Sequence, residues 1–485
     1  MTLGNQSRRN SRAALLALAT AAVAVTTVAG PARAEYRGQG DGAALNWRAC
    51  ADAPERECGQ LSVPLDYRAS KGPHTTLAVY RLRSDHPAAR RGTLLMINGG
   101  PGSAGKDMLV KQGERVRAAT KGAYDIVAFD PRGMGGSAPA SCRLDPADRR
   151  LSVLRGWPGP GGEIGENVVR AKRVADACAR NGGPLLRSLS TANEVRDIER
   201  LRQALGERKL SAWARSYGTY VGAWYAQQYP RHTDRWVLDS SNDPDPARVE
   251  RGWLANMARG AEDRFPDFAR WAVRDGLAQR ERDVRPMFLG LAARLDRRPG
   301  NEGNKLRNAL QMSLDSDGSF KGLGELIRAA RAGKPLPDVA ASDAQAAVMV
   351  ATICNDISWP REVSGYARAV AADRVRYPLT HGMPVNITPC AFWKDRPADR
   401  PVRINGRGPA NVLMIQNLRD PSTPYSAGLK MRAALGKRAR LVTVDSGGHG
   451  AYLGNGNACG DRAVSEFLIG GTRPAHDLTC EGQGR

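Results

Sequence analysis

An alternation of short apolar runs with helical patterns constrains this chain more than any other feature. Thr93–Ile97 (TLLMI) and Tyr124–Asp130 (YDIVAFD) are continuous apolar stretches that stop at Asn98-Gly99-Gly100-Pro101-Gly102 and at Pro131-Arg132-Gly133. Runs without polar alternation suit parallel strands covered on both faces. Thr75–Leu82 reads as an alternating strand before them, and Thr191-Ala192-Asn193-Glu194 as a capping box that opens a helix to about Leu205. Then follow a strand (Leu210–Ala214), a sharp turn, a helix (Tyr217–Tyr229) and a strand (Arg235–Asp239). After a long helical stretch rich in Arg and Ala the rhythm returns: strand Val412–Gln416, helix near Ala427–Leu435, strand Leu441–Asp445, and a last helix from about Asp461 to Ile469. Such alternation predicts a mostly parallel α/β sheet. The helical interruption reads as an insertion over one end of that sheet, beyond the carboxyl ends of the strands where ligands bind.

The first 34 residues read as a secretory signal peptide. Arg8, Arg9 and Arg12 form a basic start, Ala13–Val28 an apolar stretch, and Ala32-Arg33-Ala34 a small-x-small cleavage pattern. Ser7-Arg8-Arg9 hints at twin-arginine export, which leaves the route open. No other long apolar stretch exists, so an integral membrane protein is excluded. The expected segments are therefore 1–34 signal, 35–240 first part of the core, 241–405 helical cap insertion, and 406–485 second part of the core. In an oxidising compartment the eight cysteines imply disulfides. Their clustering predicts Cys50–Cys58, Cys142–Cys178, Cys354–Cys390 and Cys459–Cys480, one of 105 possible schemes. No CxxC spacing occurs, and neither metal nor organic cofactor is implied.

The formal charge is +23, and loss of the signal's four arginines leaves +19. Arginine is spread along the chain and interleaved with acids, which describes a solvated surface; a nucleic-acid binder concentrates charge in a patch or helix. Nucleic acid and, after signal removal, membrane are not expected partners. A monomer is expected.

Arg215-Ser216-Tyr217-Gly218 follows a strand and precedes a helix, the context of a nucleophile elbow in which a tight turn exposes the Ser hydroxyl. A hydroxyl needs a base, and the base an orienting acid. Of six histidines, His449 in Gly447-Gly448-His449-Gly450 lies just after a strand, where glycines let a loop swing back over the elbow. His232 follows the elbow helix too closely, and His476 lies near the terminus inside a disulfide loop. Asp420, in Asp420-Pro421-Ser422-Thr423-Pro424, has the spacing of the orienter; Asp445 is the runner-up, only four residues before His449. Gly99, Gly100 and Gly102 can turn backbone N–H groups toward an oxyanion, with Gly100 the choice and the Tyr217 N–H the second donor. No Gly-Lys-Ser/Thr follows, so a phosphate loop is disfavoured.

The ordered series NGGPG, DPRGMGGS, RSYG, DPSTP and GGHG, with the lead-in ECGQLSVPLDY, resembles the secreted tripeptidyl and prolyl aminopeptidases. The resemblance covers most of the chain beyond the signal. It implies an α/β-hydrolase fold with a TAP-like C-terminal region, Ser216 as nucleophile, Asp420 as orienter, His449 as base, and Gly100 with Tyr217 as oxyanion donors. It also implies peptide substrates with a free N-terminus, cut to release short peptides, with tripeptides expected. Asn98 stands where many members carry His, and Ala214 where they carry Gly. Asp130, Arg132 and Gly133 are expected to brace the site. Exopeptidase selectivity needs an acid near the substrate ammonium, for which Asp356 in Cys354-Asn355-Asp356 is the candidate. A secreted carboxylesterase with the same triad is the alternative, and a non-catalytic binder on this scaffold another.

Overall fold

The structure, a computed structural model, describes residues 45–247 and 249–482. The expected signal peptide, residues 1–34, lies outside the described residues. The strands are β1 (Arg48–Cys50), β2 (Ala53–Pro64), β3 (His74–Leu82), β4 (Thr93–Ile97), β5 (Asp125–Phe129), β6 (Leu210–Arg215), β7 (Thr233–Asp239), β8 (Val412–Arg419), β9 (Ala439–Gly447) and β10 (Leu478–Cys480). They form one sheet in the order β1-β2-β3-β5-β4-β6-β7-β8-β9-β10. The pairings from β1 through β5 along one side are antiparallel, and those from β5 to β10 are parallel. The fold is that of an α/β-hydrolase.

The apolar runs have the reason the sequence suggested. Every residue of β4 and β5 is buried. Alternate residues feed two cores, Leu95, Ile97, Val127 and Phe129 on one face and Leu94, Met96, Ile126 and Ala128 on the other. Each such side chain contributes roughly 1.5–3 kcal/mol by leaving water, so a polar residue would be costly on either face. The parallel part of the sheet starts at β4, adds β5 on one side, then crosses to add β6 on the other. That switch point opens a crevice at the carboxyl ends of β4 and β6.

Between β7 and β8 the described residues form helices and loops with no sheet strand. Phe265, Phe268, Phe288, Leu306, Leu310, Phe320 and Ile327 build this layer's own core. A further cluster joins it to the segment between β5 and β6, with Cys142, Cys178 and Leu186 packed with Ala347, Cys354 and Trp393. The helical layer therefore draws on residues well before position 241. The cysteines pair as Cys50–Cys58, Cys142–Cys178, Cys354–Cys390 and Cys459–Cys480. Among the described residues no helix is long and apolar enough to cross a membrane.

Several elements escaped the pattern. β2 carries Pro, Gly and three charges and is buried mainly at one end, so it lacks both the alternating and the continuous signature. β10 is a three-residue edge strand, tied to the last helix by Cys459–Cys480. The helix cap at 191 is displaced by one residue. Ser190 is the N-cap, accepting from the Asn193 N–H, whereas the Thr191 and Glu194 side chains turn inward.

Candidate active site

At the end of β6 the chain bends so sharply that Ser216 takes φ 59° and ψ −130° before the helix Tyr217–Gln228 begins. A non-glycine residue in that region is strained, and such strain concentrates at functional sites. Neighbours hold it there. The Ser216 N–H donates to the Asp239 carbonyl at 3.0 Å, and its own carbonyl accepts from the Thr219 N–H at 2.8 Å and hydroxyl at 2.6 Å. A side chain at Gly218 would collide with the Ile97 and Asn98 carbonyls, which is why only glycine serves two residues after the serine. Ala214, in place of the family's glycine, is accommodated from the other side. A Cβ at Gly222 would lie 3.0 Å from that of Ala214, so glycine on the helix leaves room for alanine on the strand.

The loop after β4 presses against the elbow. A Cβ on Gly99 would come within 2.7 Å of the Ser216 Cβ. Asn98 shapes the loop by accepting from the Gly99 N–H and donating to the Ala104 carbonyl, both at 2.8 Å. The Gly99 N–H is thus engaged, and Gly100 follows it along the loop at φ +117°. The Tyr217 N–H, first in its helix, has no partner one turn earlier. Gly100, Ser216 and Tyr217 line one cavity of about 430 Å³.

His449 lines the same cavity, carried by the loop after β9. Its Nδ1 lies 3.0 Å from both Asp420 oxygens. Asp420 is fully buried and accepts from the Ser422 N–H (2.9 Å), the Thr423 N–H (2.8 Å) and the Thr423 hydroxyl (2.9 Å). Burial alone would raise the Asp420 carboxyl, but the facing imidazole and these donors hold it below the usual range. For His449 burial works against the charged form, and the Asp420 carboxylate overrides it, lifting the imidazole above its ordinary value. The loop is pinned through its backbone. The His449 N–H donates to the Asp315 carbonyl at 2.8 Å, and its carbonyl accepts from Arg215 at 2.8 Å. Asp239, buried at the end of β7, accepts from the Ala451 and Tyr452 N–H groups just beyond. That role was not legible in the sequence, because Asp239 reads locally as the end of a strand.

The other candidates fall elsewhere. Asp445 pairs with Arg419 at 2.5 Å and does not reach His449, and His232 pairs with Glu199 at 3.1 Å. Asp130 accepts from Tyr80 (2.9 Å), the Gly136 N–H (2.8 Å) and the Lys106 N–H (2.9 Å). Arg132 forms a buried fork on Asp197 and reaches the Pro64 carbonyl. Both hold loops in place, and neither lines the cavity that holds Ser216.

Asp356 is buried, but it stands behind the cavity rather than on its wall. The Thr191 N–H donates to it at 2.8 Å and the Thr191 hydroxyl also bonds it. In front of it is Glu250, from the helix Val249–Arg274, which does line the cavity. Glu250 is fully buried, and neither of its oxygens finds an N–H or O–H donor among the described residues. Burial first, then the Asp356 carboxylate, raises the Glu250 carboxyl well above the usual range, and Asp356 itself is pushed up to about 6. The Thr191 bonds favour charge on Asp356, so Glu250 is the carboxyl of the pair that is raised further. Glu250 was invisible in the sequence, being one acid among many charges in a helical stretch. Tyr217 closes this wall, hydrogen-bonded to Thr191 (2.8 Å) and Glu194 (3.2 Å), with Trp253 edge-on at 5.8 Å.

Comparison with known proteins bears on the fold and the family. Residues 92–287 match the model of the alpha/beta hydrolase fold, and residues 377–480 that of the TAP-like proteins. The chain is similar to a tripeptidyl aminopeptidase of Streptomyces lividans, 32% identical over 472 residues that cover 90% of this chain and 87% of that protein. It is also similar to serine protease Hip1 of Mycobacterium tuberculosis, 27% identical with 96% of both chains covered. Among solved structures, the proline iminopeptidase of Mycobacterium smegmatis aligns over 84% of this chain and 97% of its own, at 13% identity and a TM-score of 0.39.

Proposed function

Because this chain belongs to the tripeptidyl aminopeptidase family of α/β-hydrolases and is a serine hydrolase, we propose that it is a secreted exopeptidase releasing short peptides, tripeptides foremost, from free N-termini. Ser216 attacks the scissile carbonyl as His449 takes its proton. Asp420 holds the imidazole in the tautomer that leaves Nε2 to act, and stabilises the imidazolium that forms. The Gly100 and Tyr217 N–H groups stabilise the oxyanion. His449 then protonates the leaving amine, and water hydrolyses the acyl-enzyme.

The observation that carries the exopeptidase reading is Glu250, a buried carboxyl without a donor on the wall that also holds Ser216. A buried acid with no partner is costly and is matched by a cation. The α-ammonium of a substrate supplies that cation and brings three donors of its own. Its arrival favours the carboxylate form of Glu250, any proton there leaving to solvent through the cavity, while Asp356 braces Glu250 from behind. An esterase would have no use for this acid. The four disulfides accord with an exported protein. The test is hydrolysis of tripeptide anilides with free and acetylated N-termini. The free substrate is expected to be preferred by about 10- to 100-fold, the worth of a charged hydrogen bond. Equal turnover of both overturns the reading.

A further inference from the structure

Arg155 is another charged group on the cavity wall for which the triad has no use. It follows the short helix Leu151–Leu154 and lines the cavity with Ser216 and His449. Its Nη1 is buried and has no hydrogen-bond partner among the described residues. Burial depresses its guanidinium below the ordinary value, and Asp315 is the one acid that counteracts this. Asp315 does so without a direct ion pair, and its Oδ1 already accepts from the Ser422 hydroxyl at 2.8 Å. A guanidinium offers five donors in a planar fork that matches a carboxylate. Leaving its buried Nη1 without a partner is costly.

The two charges stand on different walls. Glu250 acts on Tyr217, Tyr220 and Asp356, beside the elbow helix. Arg155 interacts with Asp315, whose carbonyl holds the His449 backbone and whose carboxylate holds Ser422. The chemistry assigns the walls: the acyl part of a peptide stays on Ser216, and the leaving amine departs toward the imidazole that protonates it. Resting on the peptidase reading above, we propose that Arg155 is a specificity-determining residue that binds a carboxylate on the departing part of the substrate. That carboxylate is either the C-terminus of a short leaving peptide or an acidic side chain directly after the cut.

The test compares kcat/KM for tetrapeptides cut after the third residue. One pair differs only in a free or amidated C-terminus. A second pair, both amidated, carries Glu or Gln at the fourth position. In the wild type, one pair or both is expected to favour the carboxylate by about 10- to 100-fold, and the preference in Arg155→Gln falls to about threefold or less. The first pair reports a C-terminal source, the second a side-chain source. Because each ratio is taken on one enzyme, a general loss of activity cancels. Arg155→Lys, which keeps the charge but not the fork, is expected to retain part of the preference. Ratios near one in the wild type, or ratios unaltered in Arg155→Gln, overturn the proposal. Should Arg155→Gln not fold, the wild-type ratios and Arg155→Lys decide. Acetylated versions of the same peptides report on Glu250 separately, so either reading can fail while the other stands.

Discussion

Two fully buried carboxyls serve the same cavity from opposite states of satisfaction: Glu250 lines it, and Asp420 stands behind His449. Asp420 has an imidazole, two backbone N–H groups and a hydroxyl around its two oxygens. Glu250 has none of these and only another acid behind it. The difference separates two uses of a buried charge. One is paid for within the fold and holds a catalytic group in place; the other is left to a ligand. The core side of the cavity is thus complete as it stands, whereas the helical layer presents groups, Glu250 and Arg155, that a bound substrate would satisfy.

The largest effects belong to the completed side. Ser216→Ala is expected to lower kcat by about 10⁶-fold, the scale seen when a triad nucleophile is removed, and to abolish labelling by a fluorophosphonate, which mass spectrometry of the labelled chain checks. Retained labelling would place the nucleophile elsewhere. Asp420→Asn removes the charge but keeps the size. It is expected to cost about 10⁴-fold in kcat through the wrong imidazole tautomer, and to lower Tm because the amide cannot accept from all of its present donors. Near-normal kcat would make the Asp420–His449 contact a structural pair only.

The completed side was also the legible one. Ser216 announces itself because the tight turn between strand and helix brings position 218 against the Ile97 and Asn98 carbonyls, where only glycine fits, and that glycine is visible in the sequence. Asp420 and His449 follow strands whose apolar runs are equally plain. The unsatisfied side left no such mark. Glu250 and Arg155 acquire meaning only through burial, which depends on helices folding back from distant parts of the chain. Asp356 lies one layer too deep, since a Cys-Asn-Asp string cannot show which acid faces the cavity. Thr191 and Glu194 read as a cap for a similar reason. Their pattern suits a helix start, but Ser190 takes that task and frees both for the cluster around Tyr217.

Glu250→Gln sharpens the contrast at a smaller scale. kcat/KM for a tripeptide anilide with a free N-terminus is expected to fall about 10- to 100-fold, and that for the acetylated substrate to fall far less. Unlike Asp420→Asn, this variant is expected to match or exceed the wild-type Tm, because it replaces a raised buried carboxyl with a neutral amide that can donate to Asp356. A Tm loss as large as that of Asp420→Asn would show that Glu250 is satisfied in the empty enzyme, and the comparison would collapse.

The smallest effect is in pH dependence, and its sign follows from the pair. His449 must be neutral to accept the Ser216 proton, so kcat/KM rises with pH through the imidazole's folded value. That value lies above its ordinary one of about 6.5 because the Asp420 carboxylate outweighs burial. The acid limb is therefore expected above 6.5 in the wild type, and at lower pH in whatever activity Asp420→Asn retains. Stability moves the other way. A raised imidazole contributes stability that is fully present below the unfolded value and is lost as pH rises through the folded one. Over that window the enzyme gains activity while losing the His449 contribution to folding. Asp420, held low, adds stability that disappears only as pH falls through its depressed value, well below the acid limb. Parallel profiles of kcat/KM and Tm against pH check both directions. A wild-type limb below 6.5 would mean that burial, not Asp420, governs the imidazole, and that the completed side is less complete than its geometry implies.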